Sequence, residues 1–240
     1  MEKAEYLIVG NGKTSKHISR YFELLNIPYN SWNRNESILF QEKLTGEKKI
    51  LLLIPDDQIE KFIKKHKLKV NAQVLWIHFS GVLSTPLAES THPLFTFHNS
   101  LYDLATYKSI PFIMERGRKI FHELFPELQN TSYEIEASKK SFYHAWCSIA
   151  GNFTSILWSE FFNRLENEFH LPKDAAFPYL KQVAANTLSD PNSLTGPLVR
   201  GYNETINKHL ETLRDDDFYK IYNSFKELYE NKTRKESLTK

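Results

Sequence analysis

Cysteine is almost absent, glycine is sparse, and neither sign of charge dominates; each scarcity excludes something. Cys147 is the one cysteine among 240 residues, so no disulfide framework can form within the chain. It lies among Ala145, Trp146, Ile149 and Ala150 in a helical pattern, where a lone thiol acts as a small core hydrophobe. With no cysteine pair and no His-Glu-x-x-His, a zinc site lacks its ligands, and no metal is expected. With 8 glycines, no P-loop is complete, because Leu7 stands where Gly-x-x-x-x-Gly-Lys-Ser/Thr needs its first glycine before Gly12-Lys13-Thr14, and there is no Gly-x-Ser-x-Gly elbow, which excludes P-loop and hydrolase-elbow chemistry. The 31 basic residues nearly balance 29 acidic ones, so the footprint of a nucleic-acid partner is missing. The densest basic stretch, Lys61, Lys64, Lys65, Lys67 and Lys69, reads as the solvated face of a helix and its exit. No run approaches the roughly 18 apolar residues of a membrane span, and no basic-then-apolar leader opens the chain. A cytoplasmic, soluble protein is the expectation.

What is present is aromatic and periodic. The 17 Phe, 12 Tyr and 4 Trp are ample for a core. The first half alternates. Residues 6–9 form a short apolar run ending in glycine, and 13–25 show helical spacing through Ile18, Tyr21, Phe22 and Leu25. Strands are predicted at 27–32, 50–54 and 74–79, with further candidates at 94–97 and 110–114. Consecutive aliphatics such as those of 50–54 suit a parallel sheet buried on both faces. Strands alternating with helices predict an α/β fold, an N-terminal Rossmann-like doubly wound parallel sheet over 1–130. After Phe125-Pro126 the pattern turns helical, over 134–164, 173–188 (kinked or begun at Pro178), 203–213 and 218–229. This predicts an all-α C-terminal domain over 131–240, with a tail that frays from residue 231.

Gly10-Asn11-Gly12-Lys13-Thr14-Ser15 follows the first strand. Gly10 permits the tight turn and Gly12 lets backbone approach a pyrophosphate at the helix N-terminus. Ser15 stands where the dinucleotide fingerprint has its third glycine. The competing reading is an ordinary strand-to-helix turn. At the end of the second strand, where an acidic residue would accept ribose hydroxyls, stand Asn33 and Arg34. A guanidinium suits a 2′-phosphate and points to NADP, unless Arg34 is a plain surface residue. Pro55 and Ser80-Gly81 fall at C-terminal strand ends, where open α/β sheets bind ligands. Asp56 and Asp57 could be an acid/base pair, but Asp57 and Glu60 have capping-box spacing and the cap is preferred.

Two further groups could carry chemistry. His92, held by Pro93 and followed by Thr96, sits where it could face a nicotinamide; a structural turn histidine is the alternative. Lys140 and His144 share a helix face, which Ser148 and Gly151 continue and Asn152 borders. Such a face can bind and protonate a carbonyl or imine, with His144 the natural proton donor, Lys140 the second choice and Asn152 positioning substrate. It can equally be a packing face with a satisfied histidine. The loop Leu194-Thr195-Gly196-Pro197, with Arg200 behind it, offers a second surface where Thr195 and Arg200 would meet substrate.

These pieces carry a family resemblance. Lys140-Ser141-Phe142-Tyr143-His144-Ala145, Gly151-Asn152-Phe153, His92-Pro93-Leu94-Phe95-Thr96-Phe97 and Leu194-Thr195-Gly196-Pro197-Leu198-Val199-Arg200-Gly201 resemble bacterial proteins that join a Rossmann-like NADP-binding domain to the helical "domain of unknown function 2520". More distantly the chain is similar to pyrroline-5-carboxylate reductases, deazaflavin-dependent NADP reductases and 6-phosphogluconate dehydrogenase-like enzymes. The His-Pro-Leu piece is similar to the His-Pro-Met of prephenate dehydrogenases. The resemblance implies a homodimer through the helices and a cleft lined by His92, Lys140, His144, Asn152 and Thr195. It implies an NADP-dependent oxidoreductase that moves a hydride between nicotinamide and a small carbonyl or imine. The alternatives are a non-catalytic dinucleotide-binding sensor or scaffold, and a dimeric structural protein without a nucleotide site. Two departures stand out: Ser15 for glycine, and Tyr202 after Arg200-Gly201 where a carboxylate is expected.

Overall fold

The structure, a computed structural model, describes residues 4–238. Seven strands form one sheet in the order β2-β1-β3-β4-β5-β6-β7. They are β1 (Tyr6–Val9), β2 (Tyr29–Trp32), β3 (Lys49–Leu52), β4 (Leu75–His78), β5 (Glu89–Pro93), β6 (Phe112–Glu115) and β7 (Ser132–Ile135). β1 to β5 are mutually parallel, as the aliphatic runs imply. β6 then runs antiparallel to β5, with Thr91 opposite Met114 and His92 opposite Ile113, and β7 follows β6 in parallel. The sheet is thus the expected Rossmann-like, mostly parallel sheet, with one antiparallel junction at β5–β6.

The helices of this layer are α1 (Lys13–Leu24), α2 (Phe40–Lys43), α3 (Asp56–His66), α4 (Leu104–Ser109) and α5 (Phe121–Leu124). α1 buries Ile18, Tyr21 and Phe22 against one face of the sheet, among Ile8, Leu51, Ile77, Phe112 and Met114. α3 buries Ile59 and Ile63 against the other, among Leu7, Val9, Ile50 and Leu52. Each such side chain removed from water contributes about 1.5–3 kcal/mol, which outweighs the helices' weak intrinsic preferences. The buried His17 is paired at both nitrogens, with the Tyr107 hydroxyl at 2.9 Å and the His98 carbonyl at 2.8 Å.

Several expectations need correction. The strand expected at 94–97 lies at Glu89–Pro93. Its residues Ser90 and Thr91 are buried although polar, so no apolar run announces it. β7 occupies the start of the expected 134–164 helix, which begins instead as α6 (Lys140–Cys147). Asp57 caps nothing: α3 starts at Asp56 after Pro55, which has no side-chain cap bond. Asp57 accepts from Lys61 at 3.4 Å inside the first turn.

By internal contacts the chain divides into two compact units, the first ending at Trp158 and the second beginning at Ser159. The division comes later than the change of sequence character near residue 130. α6 continues through a π-helical segment, Ser148–Phe153, into α7 (Thr154–Asn167). The second unit adds α8 (Phe177–Ser189), which begins at Pro178's first-turn position, then α9 (Pro197–Arg200), α10 (Asn203–Thr212) and α11 (Tyr219–Leu238). α11 runs on past residue 231, where fraying was expected; its Lys226–Glu230 pair at 2.9 Å has helical i,i+4 spacing. Arg164 braces this unit through Asp216 at 2.6 Å. Among its described residues only Leu165, Ala176 and Ile206 are buried.

Candidate functional site

The sheet creates the site through its strand order. The chain leaves β1 for β2 on one side and crosses to β3 on the other, so their C-terminal ends splay apart at this switch point. Ligands of open α/β sheets bind there. A cleft of about 890 Å³ opens at that place, lined by Gly10, Asn11, Gly12 and Thr14 on the first turn, and by Asn33 and Arg34 after β2. Pro55 and Asp56 line it after β3, Ser80 after β4, and His92 and Pro93 at the end of β5.

Gly10 is where two strands nearly touch. Its φ is +134°, and a Cβ there would overlap the Leu53 carbonyl. Its N–H donates to the Trp32 carbonyl at 2.9 Å, tying β1's exit to β2's. Gly12 caps α1, and a Cβ there would meet nothing within 4 Å. No acidic residue occupies α1's first turn, so its N–H groups keep their positive field toward the cleft. Ser15 fills the third-glycine position without cost. It is buried, and its Oγ donates to the Gly12 carbonyl at 2.8 Å. It therefore braces the turn rather than entering the cleft.

At the β2 end, Glu36 Oε1 accepts from both the backbone and the side-chain amide of Asn33 at 2.9 Å. This tight turn presents Arg34, which is exposed. Across from it, Lys61 and Lys65 of α3 line the same cleft. The basic stretch read as a solvated face is thus partly a cleft wall. Its i,i+4 spacing was visible; the pairing with Arg34 was not, because it depends on β3 crossing over β1. Trp32 and Phe62 add flat apolar surface there, their rings 5.9 Å apart. The lining cations Lys13, Arg34, Lys61 and Lys65 face one carboxylate, Asp56, whose Oδ2 accepts from Ser80 Oγ at 2.6 Å.

The β4–β5 end differs: His78, Ser80, Ser90, Glu115 and Lys140 are buried there, and His92 and His144 are half-buried. Gly81 lies against two imidazoles. A Cβ there would overlap His144 and come within 3.0 Å of His92 Cδ2. The two rings stand 5.5 Å apart and nearly perpendicular. His92 Nδ1 is hydrogen-bonded to the Tyr143 hydroxyl at 2.9 Å. Burial, then the charges of His144 and Lys140, push the His92 pKa down to about 4. His78, wholly buried, is pushed to about 3 by burial and by the charges of Lys140 and Arg118. Its Nδ1 accepts from the Ser80 N–H at 3.3 Å, and its Nε2 has no partner.

Lys140, which opens α6, is also buried. Its ammonium donates to Ser90 Oγ and pairs with Glu115 at 3.6 Å. Glu115 in turn accepts from Ser84 Oγ at 3.0 Å. Burial lowers the Lys140 pKa and Glu115 raises it in opposition. Lys140 and His144 thus share a helix face as expected but have different surroundings. His144 is half-buried beside His92; Lys140 faces the sheet. Glu115 and His78 had no signal in the sequence, since only sheet register brings them here.

The remaining expected residues lie elsewhere. Asn152 is exposed in the π-helical segment, and Thr96 is exposed, its carbonyl accepting from Tyr102 at 2.9 Å. Thr195 and Arg200 belong to the second unit, both exposed; Arg200 lies over the Tyr202 ring at 5.9 Å. Among the described residues no cluster of His, Cys, Asp and Glu could hold a metal, and no helix is long and apolar enough to cross a membrane.

The comparisons with known proteins complete the description. The sequence profile of the family described as "Domain of unknown function (DUF2520)" matches residues 111–232. No curated protein matches the chain in sequence. Three of the solved structures that share its fold illustrate the likeness. A Bacteroides fragilis protein provisionally named an NADP oxidoreductase has TM-score 0.74 and 18% identity, over 96% of each chain. A Thermotoga maritima protein has TM-score 0.68 and 22% identity, over 97% of this chain and 99% of that one. The Plasmodium falciparum pyrroline carboxylate reductase, solved with NADP bound, has TM-score 0.57 and 12% identity, over 96% and 98%.

Proposed function

This chain belongs to the family described as domain of unknown function 2520, and from that premise we propose that it is an NADP-dependent oxidoreductase acting on a small carbonyl or imine. The observation that carries the reading is the cationic cleft at the β1/β3 switch point, with a glycine turn at its centre and an imidazole at its far end. The residues fit the cofactor. Gly12 leaves open space where a pyrophosphate would approach, and α1's N-terminus would meet its charge. Asn11 and Thr14 line that stretch, while Ser15 braces it. Arg34 would hold the 2′-phosphate, and Pro55 and Ser80 would flank the dinucleotide. The fold's likeness to a reductase solved with NADP supports this assignment.

Bound there, NADPH would supply the hydride. The chain's own part is to orient the acceptor and stabilise charge as it develops. His144 would give the proton, since imidazole is the natural acid near neutral pH. His92 would line the substrate end of the cleft, and Gly81 would leave room for both rings. Lys140, sealed between Ser90 and Glu115, would support this end from behind. Asn152 and Thr96 are further candidates for substrate contact, as are Thr195 and Arg200 of the second unit.

We also infer a homodimer through the helices. Phe142, Trp146, Ile149, Phe153 and Ile156 form an exposed apolar stripe, and the second unit buries few residues of its own. Sedimentation should report a dimer, and Trp146→Glu should shift it toward monomer. A reducing, cytoplasmic setting suits the unpaired Cys147.

The deciding experiment is titration of the purified protein with NADPH and NADH, following nicotinamide fluorescence. NADPH should bind more tightly. Arg34→Ala should weaken NADPH at least about tenfold, the worth of one charge-assisted contact, and leave NADH unchanged. If neither dinucleotide binds, the oxidoreductase reading falls.

A further inference from the structure

At the β4–β5 end the half-buried His92 lines the cleft and is tied back by a second side chain, Tyr143. β5 fixes its backbone: His92 pairs with Ile113 across the antiparallel junction, and Pro93 follows it. Its ring stands at 83° to the Tyr143 ring, 5.6 Å away, so the two rings do not stack, and the Tyr143 hydroxyl lies 2.9 Å from Nδ1. Gly81 closes the ring's Cδ2 edge. Nδ1 is therefore occupied, and Nε2 is the polar atom left for a ligand. Only His78 Nε2 and Thr91 Oγ1 are sealed without a partner among the described residues, so His92 Nε2 is not shut away from the cleft.

The direction of the Tyr143–His92 hydrogen bond decides what Nε2 offers. If Tyr143 donates to Nδ1, the proton of a neutral ring sits on Nε2 and faces the ligand as a donor. If Nδ1 donates to the hydroxyl, Nε2 is an acceptor. Tyr143 is pressed toward donation. A phenol O–H is a stronger donor than an imidazole N–H, and a bare imidazole nitrogen is a stronger acceptor than a phenol oxygen, so the 2.9 Å contact favours donation from Tyr143 to Nδ1, and burial keeps that hydroxyl protonated. The ring itself resists charging, because burial strips its water and because His144 and Lys140 stand near it.

We propose that Tyr143 is a positioning residue that fixes His92 in its Nε2-protonated tautomer, so that His92 presents a neutral N–H donor to a carbonyl oxygen at this end of the cleft. The assignment of that oxygen to a dinucleotide's carboxamide or to a substrate rests on the oxidoreductase reading; the tautomer does not. A neutral donor polarises a carbonyl without giving up its proton, which separates this role from that of His144 beside it.

The test is long-range proton–nitrogen NMR on protein labelled with nitrogen-15 histidine, with His92 assigned through His92→Gln. The free wild type should show a neutral His92 with its proton on Nε2. In Tyr143→Phe, which keeps the ring and loses the hydroxyl, the two His92 nitrogen shifts should move toward each other as the tautomers mix. A wild-type His92 protonated on Nδ1 overturns the proposal, and so does a Tyr143→Phe spectrum identical to wild type. If Tyr143→Phe fails to fold, the wild-type spectrum alone decides. Ligand arms then identify the acceptor. NADP⁺ moving the Nε2 signal, while adenosine 2′,5′-bisphosphate does not, assigns the carboxamide. Movement that needs NADP⁺ together with cyclohexanone assigns a substrate carbonyl. Nε2 silent to all three, with NADP⁺ bound, overturns the donor role. Absence of NADP⁺ binding in the fluorescence titration instead defeats the oxidoreductase reading and leaves the tautomer result standing.

Discussion

The two ends of the cleft are built on different principles. At the β1–β2 end, backbone does the work: a glycine turn, a helix N-terminus, and exposed cations at the rim. At the β4–β5 end the work is done by side chains taken out of water, His78, Lys140 and Glu115, with the half-buried His92 beside them. The first arrangement costs the fold little, because its charges stay hydrated until a ligand arrives. The second is expensive, because each buried polar group must find a partner or lose its charge. A site that must recognise a charged ligand can use the cheap construction. A site that must hold groups in fixed protonation states needs the other.

That contrast can be broken most forcefully at Lys140. Lys140→Met leaves Glu115 buried without its cation, and such removals cost about 3–5 kcal/mol. Urea denaturation should register this, and adding Glu115→Leu should return much of it. A loss below about 1 kcal/mol would mean that water enters this end and that the contrast is false. Gly10→Ala tests the other end at its one rigid point. Left-handed strain and overlap with the Leu53 carbonyl should together cost about 2–4 kcal/mol. Little change there would show that the β1/β3 approach is slack.

The dependence on pH sharpens the comparison. His78 and His92 have pKa values pushed from 6.5 to about 3 and about 4, so the unfolded chain binds more protons than the folded one between those limits. Their contribution is fully present above pH 6.5 and is lost as pH falls toward 4. Denaturation midpoints should drop through that window, and less steeply in His78→Asn. The smallest effect belongs to Ser15→Gly, which restores the usual third glycine. Losing the Oγ bond to Gly12 and gaining helical freedom should cost about 1 kcal/mol. NADPH affinity should change by less than about twofold, since 0.4 kcal/mol is that factor.

The same contrast explains what could be read in advance. Gly10, Gly12 and Arg34 were legible because that end is local: a strand, a turn and the next strand's exit lie in one short stretch. The buried aliphatics of β1 and β3 were legible for a similar reason, since a parallel strand covered on both faces must be apolar throughout. β5 was displaced by a few residues because Glu89, Ser90, Thr91 and His92 look like a loop until their partners are known. Glu115 and His78 gave no signal, because sheet register alone brings them near Lys140. Lys61 and Lys65 are solvated as read, but helical spacing could not say that their face borders a cleft.

The π-helical segment Ser148–Phe153 has a geometric consequence. Such a segment amounts to one residue inserted into an α-helix, and one residue is about 100° of rotation. It therefore sets the phase between α6, which carries Tyr143 and His144, and the start of α7. Deleting one residue there would restore a regular helix and swing Thr154 and its successors by about a quarter-turn relative to His144. Chain length at this point, rather than side-chain chemistry, tunes which side chains share a direction with Tyr143 and His144.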